Sequence, residues 1–412
     1  MFLYNLAIGI YAALAHLDAP FSHKPRKMIK GQRVSYAILK HQIDPSKKYI
    51  WFHAASLGEF EQGRPLIESI RRTHPEYGIL LTFFSPSGYE VRKDYRGADI
   101  VCYLPFDKPR NVRRFLDAAR PCMAFFIKYE FWKNYLDELH RRNIPVYSVS
   151  SIFRRNQIFF KWYGATYRNV LHDFTHLFVQ NDASRRYLSA IGVENVTVVG
   201  DTRFDRVLQI AQEAKELPLV EAFKGGQTTI VAGSSWQPDE DLFIDYFNRH
   251  PELKLIIAPH VIDESHLVEI VEKLKRPYVR YTRATEANVR EADCLIIDCF
   301  GLLSSIYRYG EIAYVGGGFG AGIHNVLEAA VYAMPVVFGP KYHKFAEAVE
   351  LIDGGGAFSI NNADELNPLF DRLLSDADFL KQSGDNARNY VAGKAGTTDK
   401  VLSHIFGNAS DR

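Results

Sequence analysis

Cysteine is scarce in this chain. There are four among 412 residues, Cys102, Cys122, Cys294 and Cys299, with no C-x-x-C pair. That spacing argues against a disulfide framework and against a zinc ribbon, and each thiol lies in or beside an apolar run, so buried free cysteines in a reducing compartment are expected. Charge of one sign is lacking too. Fifty Lys and Arg against 48 Asp and Glu leave a net charge of +2, which argues against bulk electrostatic binding of nucleic acid and makes any basic function local. Low-complexity tracts and short-period repeats are absent. With 47% hydrophobic and 24% charged residues the composition is that of an ordinary globular protein, and disorder is not expected. A chain of this length exceeds one ordinary core of about 100–200 residues, so two domains are the default.

No apolar run reaches the roughly 20 residues that span a bilayer as a helix. The nearest approach is Phe2–Leu17, which is almost wholly apolar and is followed by Lys24, Arg26, Lys27, Lys30 and Arg33. An interfacial or marginally spanning helix fits this pattern. A cleaved signal peptide does not, because the positive charges follow the apolar run instead of preceding it. Placed against an anionic cytoplasmic leaflet, each cation adds about 1 kcal/mol, and the positive-inside rule keeps the body of the protein in the cytoplasm. The competing reading is a buried packing helix.

From Tyr49 onward, short apolar β-rich runs alternate with amphipathic stretches. Tyr49–Ala54, Gly78–Phe83, Ile100–Leu104, Met123–Ile127 and Val146–Ser150 read as buried strands, with helices at Pro109–Ala119 and Glu130–Arg142. The pattern fades over the polar stretch 211–226, with Pro218 and Gly225–Gly226. It begins afresh with Thr228–Ala232, Leu253–Ala258, Cys294–Ile297, Ile312–Val315 and Val336–Phe338. The alternation predicts α/β architecture: a membrane-associated segment 1–35, a Rossmann-like domain 36–210, a linker 211–226 and a second Rossmann-like domain 227–412, the two domains facing a central cleft. Ligands in such sheets sit at the carboxyl ends of the strands.

Two places answer to that rule. The strand ending at Ala54 runs into Ala55-Ser56-Leu57-Gly58-Glu59, where Gly58 permits a sharp turn and Glu59 sits at the rim of the sheet. Spacing alone leaves two readings of Glu59 open, a general base or a first-turn carboxylate that complements the helix dipole. The second place is Gly316-Gly317-Gly318-Phe319-Gly320-Ala321-Gly322, between a strand and a helix expected to start near His324. Backbone without side chains can approach a phosphate, and a helix N-terminus favours its charge. In that helix His324 and Glu328 would lie one turn apart on one face. A metal pair there lacks a third ligand, and a Glu that accepts from nucleotide ribose hydroxyls is the preferred reading.

The run His53-Ala54-Ala55-Ser56-Leu57-Gly58-Glu59 resembles the H-A-x-S-x-G-E motif of the transferases that add 3-deoxy-D-manno-octulosonic acid (Kdo) to lipid A precursors. His324-Asn325-Val326-Leu327-Glu328, with Gly339-Pro340 and Phe345 after it, is similar to that family's G-G-H-N-x-L-E and G-P followed by N-F. Ile323 replaces the second Gly before His, and Lys344 the usual Asn. Ser85-Pro86-Ser87-Gly88 resembles the T-x-T-G turn. Lys128-Tyr129-Glu130-Phe131-Trp132 aligns with E-T-E-L-W, so that Glu130 keeps one acid and Lys128 replaces the other, to which the family gives a transition-state role. Gly200-Asp201-Thr202-Arg203-Phe204-Asp205 is similar to G-N-L-K-F-D, with Arg203 where a Lys steadies the transition state. Pro259-His260 stands for P-R-H, and Phe300-Gly301-Leu302 for x-G-E, matched only at Gly301.

The resemblance implies a GT-B glycosyltransferase that moves Kdo from CMP-Kdo to a lipid A precursor (lipid IVA), inverting and metal-independent, with no cofactor, at the cytoplasmic face of the inner membrane. It implies Glu59 as the base, with Arg203, Lys128 and Glu130 beside the reaction. Donor contacts would come from Pro259, His260, Phe300, Gly301, Leu302, Gly316, Gly317, Gly318, His324, Asn325, Val326, Leu327 and Glu328. The rivals are another GT-B transferase, a nucleotide-sugar epimerase of the same architecture, a dehydrogenase, or a non-catalytic membrane adaptor.

Overall fold

The computed structural model describes residues 2–407 and shows two compact units. One is formed by the chain up to Arg206 and again from Gly396; the other is Val207–Ala395. In the first, β1 (Lys48–Ala54), β2 (Tyr77–Phe83), β3 (Ile100–Tyr103), β4 (Pro121–Ile127), β5 (Val146–Ser151), β6 (His176–Val179) and β7 (Val196–Val198) form one parallel sheet, ordered β3-β2-β1-β4-β5-β6-β7. The second unit repeats the plan. There β8 (Thr229–Ser235), β9 (Lys254–Pro259), β10 (Tyr278–Arg280), β11 (Cys294–Ile296), β12 (Ile312–Val315), β13 (Val336–Phe338) and β14 (Ala357–Ser359) are parallel in the order β10-β11-β9-β8-β12-β13-β14.

Helices cover both faces of each sheet, so the central strands are buried along nearly their whole length and read as unbroken apolar runs. Successive residues of β1 serve opposite faces. Trp51 packs with Phe115, Phe126 and Tyr135 on one side, and Phe52 with Phe125, Ile67 and Phe178 on the other. Each such side chain contributes roughly 1.5–3 kcal/mol of burial. The strand direction of build-up reverses between β1 and β4 in one sheet and between β8 and β12 in the other. Those two carboxyl-end junctions are where a doubly wound sheet opens to a ligand.

The domain limits read from sequence need correction. Residues 211–226 are not a free linker. The helix Thr202–Gln212 runs into them, and the helix Pro218–Lys224 buries Val220 and Phe223 while the Leu217 N–H donates to Tyr309 Oη at 2.8 Å. Nor does the second domain extend to the C-terminus. Asp205 accepts from the N–H groups of Gly396 and Thr398, both at 2.6 Å, and Phe406 stacks on His74 at 4.2 Å, which returns the helix Thr397–Phe406 to the first unit. The helix expected at Glu130–Arg142 is Lys133–Arg141. Buried Asp107 caps its start by accepting from the N–H groups of Asn134 and Tyr135, each at 3.0 Å, and burial pushes the Asp107 carboxyl up to about 6.

Among the described residues no single helix is long and apolar enough to cross a membrane. The apolar N-terminal run forms α1 (Phe2–Asp18), bent by 113° against α2 (His23–Gln42). The helix has two faces. Ala12 and Ala15 pack with Met28, Ile29, Tyr103 and Phe106, and the Tyr4 hydroxyl donates to Asp107 at 2.6 Å. Leu3, Leu6, Ile10, Leu14 and Leu17, at helical spacing on the opposite side, are exposed. The packing helix weighed from sequence therefore accounts for one face only.

Candidate active site

At the β1/β4 junction, β1 ends at Ala54 and α3 (Leu57–Thr73) begins two residues later. Glu59 occupies its first turn, and Glu59 Oε2 accepts from the Ala55 N–H at 2.6 Å, as a capping glutamate does. The Ser85 N–H donates to Ala55 O at 2.7 Å, which lays the Ser85–Gly88 turn against the same loop. The helix-capping reading of Glu59 is thus physically present, yet capping does not exhaust the residue. Burial, and then the charge of Glu130, push its carboxyl up to about 7; the Ala55 N–H and the Lys128 cation pull the other way. A carboxyl titrating there is suited to taking a proton at neutral pH.

Glu130 arrives from the end of β4. It is buried, with Oε2 3.1 Å from His53 Nε2 and accepting from the Trp132 indole N–H. His53, on β1, is held at its other nitrogen 2.9 Å from Thr82 Oγ1. His53 and Trp132 belong to the quoted motifs, but their part in fixing Glu130 was missed, because it depends on side chains meeting across strands. Lys128 sits at φ +65°, a left-handed conformation that costs a non-glycine residue on the order of 1–3 kcal/mol and concentrates at functional sites. The strained residue is tied in place: its N–H donates to Val149 O and its carbonyl accepts from Ser151 Oγ, both at 2.8 Å. One residue earlier, Ser150 at φ +56° meets Thr202 Oγ1 at 2.9 Å. That thread sets the start of the helix bearing Arg203, whose Nε–H donates to buried Asp201 at 2.8 Å. Glu59, Glu130 and Lys128 are thus brought together electrostatically, and Arg203 is anchored through the neighbouring turn.

In the second unit the β8/β12 junction is built of rings and glycines. Trp236, just past β8, stacks on His260, just past β9, with centroids 4.8 Å apart; His260 stacks on His324 at 4.3 Å. The Trp236 indole N–H donates to His324 Nε2 at 3.2 Å. Burial and the neighbouring His260 hold the His324 imidazole below its ordinary range. Trp236 was not anticipated. Its only sequence signal was an aromatic just past the carboxyl end of an expected strand.

The glycine loop differs from expectation. The N–H groups of Gly316 and Gly317 are spent within the protein, on Gly233 O at 3.0 Å and on Asp239 Oδ2 at 2.9 Å. A Cβ on Gly316 would lie 2.3 Å from Ser234 O, and one on Gly318 2.6 Å from the Gly339 backbone, so these glycines serve close packing of loop on loop. The helix behind the loop is also short, Leu327–Ala330, so His324 and Glu328 do not share a helical face and little dipole is available. Asn325 Oδ1 accepts from the Leu327 N–H at 3.2 Å, at the start of that short helix. Val326 and Leu327 are buried core residues whose side chains are closed to a ligand. Glu328 is half-buried and accepts from Asn325 Nδ2 at 2.9 Å. Phe300 is 80% exposed on the loop after β11 with Gly301 at φ +87° and Leu302; no hydrogen bond or ring contact among the described residues joins them to the Trp236–His260–His324 group. Pro259 ends β9 beside Ser235.

Asp239-Glu240-Asp241 has the Asp-x-Asp spacing of a divalent-ion motif, which corrects the reading that the sequence contains none. Its side chains diverge. Asp239 accepts from Gly317 N, Trp236 N and Tyr314 Oη, while Asp241 pairs with Lys273 at 2.6 Å. Among the described residues no three His, Cys, Asp or Glu side chains group as metal ligands.

Comparison with known proteins follows the same division. A family model described as 3-deoxy-D-manno-octulosonic-acid transferase matches residues 30–206. The chain is 30% identical over 345 residues to the 3-deoxy-D-manno-octulosonic acid transferase of Aquifex aeolicus, spanning 82% of this chain and 89% of the relative. It is 24% identical to that of Haemophilus influenzae, spanning 87% and 86%. Among solved structures it is similar to the UDP-GlcNAc 2-epimerase from Neisseria meningitidis bound to UDP-GlcNAc, with TM-score 0.62 at 13% identity over 87% of this chain and 100% of the other. A putative UDP-N-acetylglucosamine 2-epimerase from Listeria monocytogenes gives 0.61 at 14% identity, over 89% and 98%. At such identities the likeness is one of fold, two Rossmann-like domains of GT-B type, and says nothing of the reaction.

Proposed function

The chain belongs to the family of Kdo transferases, and from that premise we propose that it transfers Kdo from CMP-Kdo to a hydroxyl of a lipid A precursor, lipid IVA, with inversion and without a metal ion. It is a glycosyltransferase of lipopolysaccharide biosynthesis. The observation that carries the finer reading is Glu59, a rim carboxyl raised to about 7 at the junction where a doubly wound sheet opens.

In this reading the first domain takes the acceptor and the second the donor. Glu59 removes the proton of the acceptor hydroxyl as its oxygen attacks the anomeric carbon of Kdo, whose bond to the CMP phosphate breaks through an oxocarbenium-like state. General-base help is worth about 10² to 10⁴ in rate. The cations Lys128 and Arg203 offset the negative charge that develops, the preorganised electrostatic contribution. His324 and Glu328 hold CMP. The exposed apolar face of α1, with Lys24, Lys27 and Lys30 exposed on α2 behind it, supports residence on the cytoplasmic face of the inner membrane. Release of CMP from CMP-Kdo, followed with and without lipid IVA and with EDTA, tests the proposal. Acceptor-dependent release that persists in EDTA is expected; release indifferent to lipid IVA would overturn it.

A further inference from the structure

An indole N–H can only donate. The Trp236 Nε1 atom lies 3.2 Å from His324 Nε2, so that nitrogen has to offer a lone pair, and the one proton of the neutral ring belongs on Nδ1. The packing agrees. A Cβ on Gly317 would meet His324 Cδ2 at 3.0 Å and Nε2 at 3.2 Å, so the Nε2 edge is the one turned to the glycine loop and the indole. His324 Nδ1 has no hydrogen-bond partner among the described residues, although the ring is half-buried. Trp236 is itself held through its main chain: its backbone N–H donates to Asp239 Oδ2 at 3.0 Å, and Asp239, fully buried, accepts from the Gly317 N–H with the same oxygen. One carboxylate thereby ties the Trp236 backbone to the loop that His324 adjoins.

We propose that Trp236 is a positioning residue of the donor site that locks His324 in the neutral Nδ1–H tautomer, so that the imidazole presents a hydrogen-bond donor to an anionic oxygen of the nucleotide. This rests on the reading of the second domain as the CMP site. A neutral donor of this kind binds a phosphate oxygen and adds no formal charge to the site. Once the ring is protonated, Nε2 becomes a donor itself and the indole contact turns repulsive. The lock is therefore lost as pH falls, while Nδ1 keeps its proton and its donor capacity.

The test uses the full chain, labelled with ¹⁵N in histidine, as wild type and as Trp236→Phe, which keeps an aromatic ring beside His260 and removes the N–H. Long-range ¹H–¹⁵N spectra without ligand are expected to show His324 as the Nδ1–H tautomer in wild type, moving toward Nε2–H in the variant. Calorimetry with CMP is expected to show affinity falling by about tenfold, the loss of one oriented hydrogen bond, with the melting temperature kept. An Nε2–H tautomer in wild type, or CMP affinity within twofold in the variant, overturns the proposal. Should wild type fail to bind CMP, that failure falls on the donor reading, and the ligand-free tautomer decides the lock by itself.

Discussion

The carboxyl ends of β1 and β4 gather ionisable groups, whereas those of β8, β9 and β12 gather rings, glycines and a buried carboxylate, Asp239, whose hydrogen bonds are all made within the protein. Sheet order at the two junctions is closely alike. The first places Glu59 where burial and a second acid raise its carboxyl to about 7. The second spends Asp239 on Gly317, Trp236 and Tyr314 and leaves neutral surfaces. A site that must exchange a proton keeps a titratable group near its working pH, while a site that must hold a ligand fixes its loops and keeps charge out of the way. On this view the first junction governs rate and the second affinity.

Glu59→Ala gives the largest expected effect. Transfer should fall by about 10² to 10⁴ while CMP affinity is kept and melting stays within a few degrees, since the lost cap is worth roughly 1 kcal/mol. A change in CMP affinity comparable to the change in rate would break the comparison. Placing the acceptor on the first domain also puts the lipid there. Leu6→Glu with Leu14→Glu, both on the exposed face of α1, should abolish flotation with anionic vesicles and leave soluble CMP binding intact. Flotation undiminished by the double change would remove α1 from the membrane.

On the second junction the comparison is sharpened by Glu328→Gln. If Glu328 accepts from ribose hydroxyls, CMP binding should weaken by roughly 1–3 kcal/mol with turnover at saturating donor little changed. A fall in kcat with unaltered affinity, by calorimetry and initial rates, would contradict the assignment.

The legibility of these regions in sequence follows from how local each feature is. Strands such as Gly78–Phe83 are buried from end to end and declare themselves as apolar runs, and the rule for strand ends then placed Glu59. Edge strands Val196–Val198, Tyr278–Arg280 and Ala357–Ser359 have only three residues each, too few to show a period. The helix expected near His324 begins only at Leu327, a limit that i,i+4 spacing does not reveal. Contacts between residues distant in the chain left no trace: Trp236 with His324, His53 with Glu130, and the return of Gly396 to Asp205. Solved structures similar in shape include epimerases, and shape alone would have favoured the epimerase reading; the motifs around Glu59 and His324 pointed the other way, and the curated relatives agree with them.

Glu130→Gln has the smallest expected effect and separates charge from chemistry at the first junction. Its glutamine can still accept from the Trp132 and His53 N–H groups, so geometry should hold. What disappears is the negative charge that, after burial, is the main cause raising the Glu59 carboxyl. The Glu59 titration should therefore move down from about 7, and because a base works only when ionised, the acid limb of the pH–rate profile should shift to lower pH with the plateau kept within a few-fold. Stability follows the same sign. A carboxyl raised in the folded state holds its proton more tightly there than in the unfolded chain. Its contribution is present below the unfolded value near 4.5 and is lost as pH rises through about 7. In Glu130→Gln that loss should be smaller, so melting temperature should depend less on pH across this window. An acid limb that stays in place would mean burial alone tunes Glu59, and a collapsed plateau would mean that Glu130 takes part in the reaction itself.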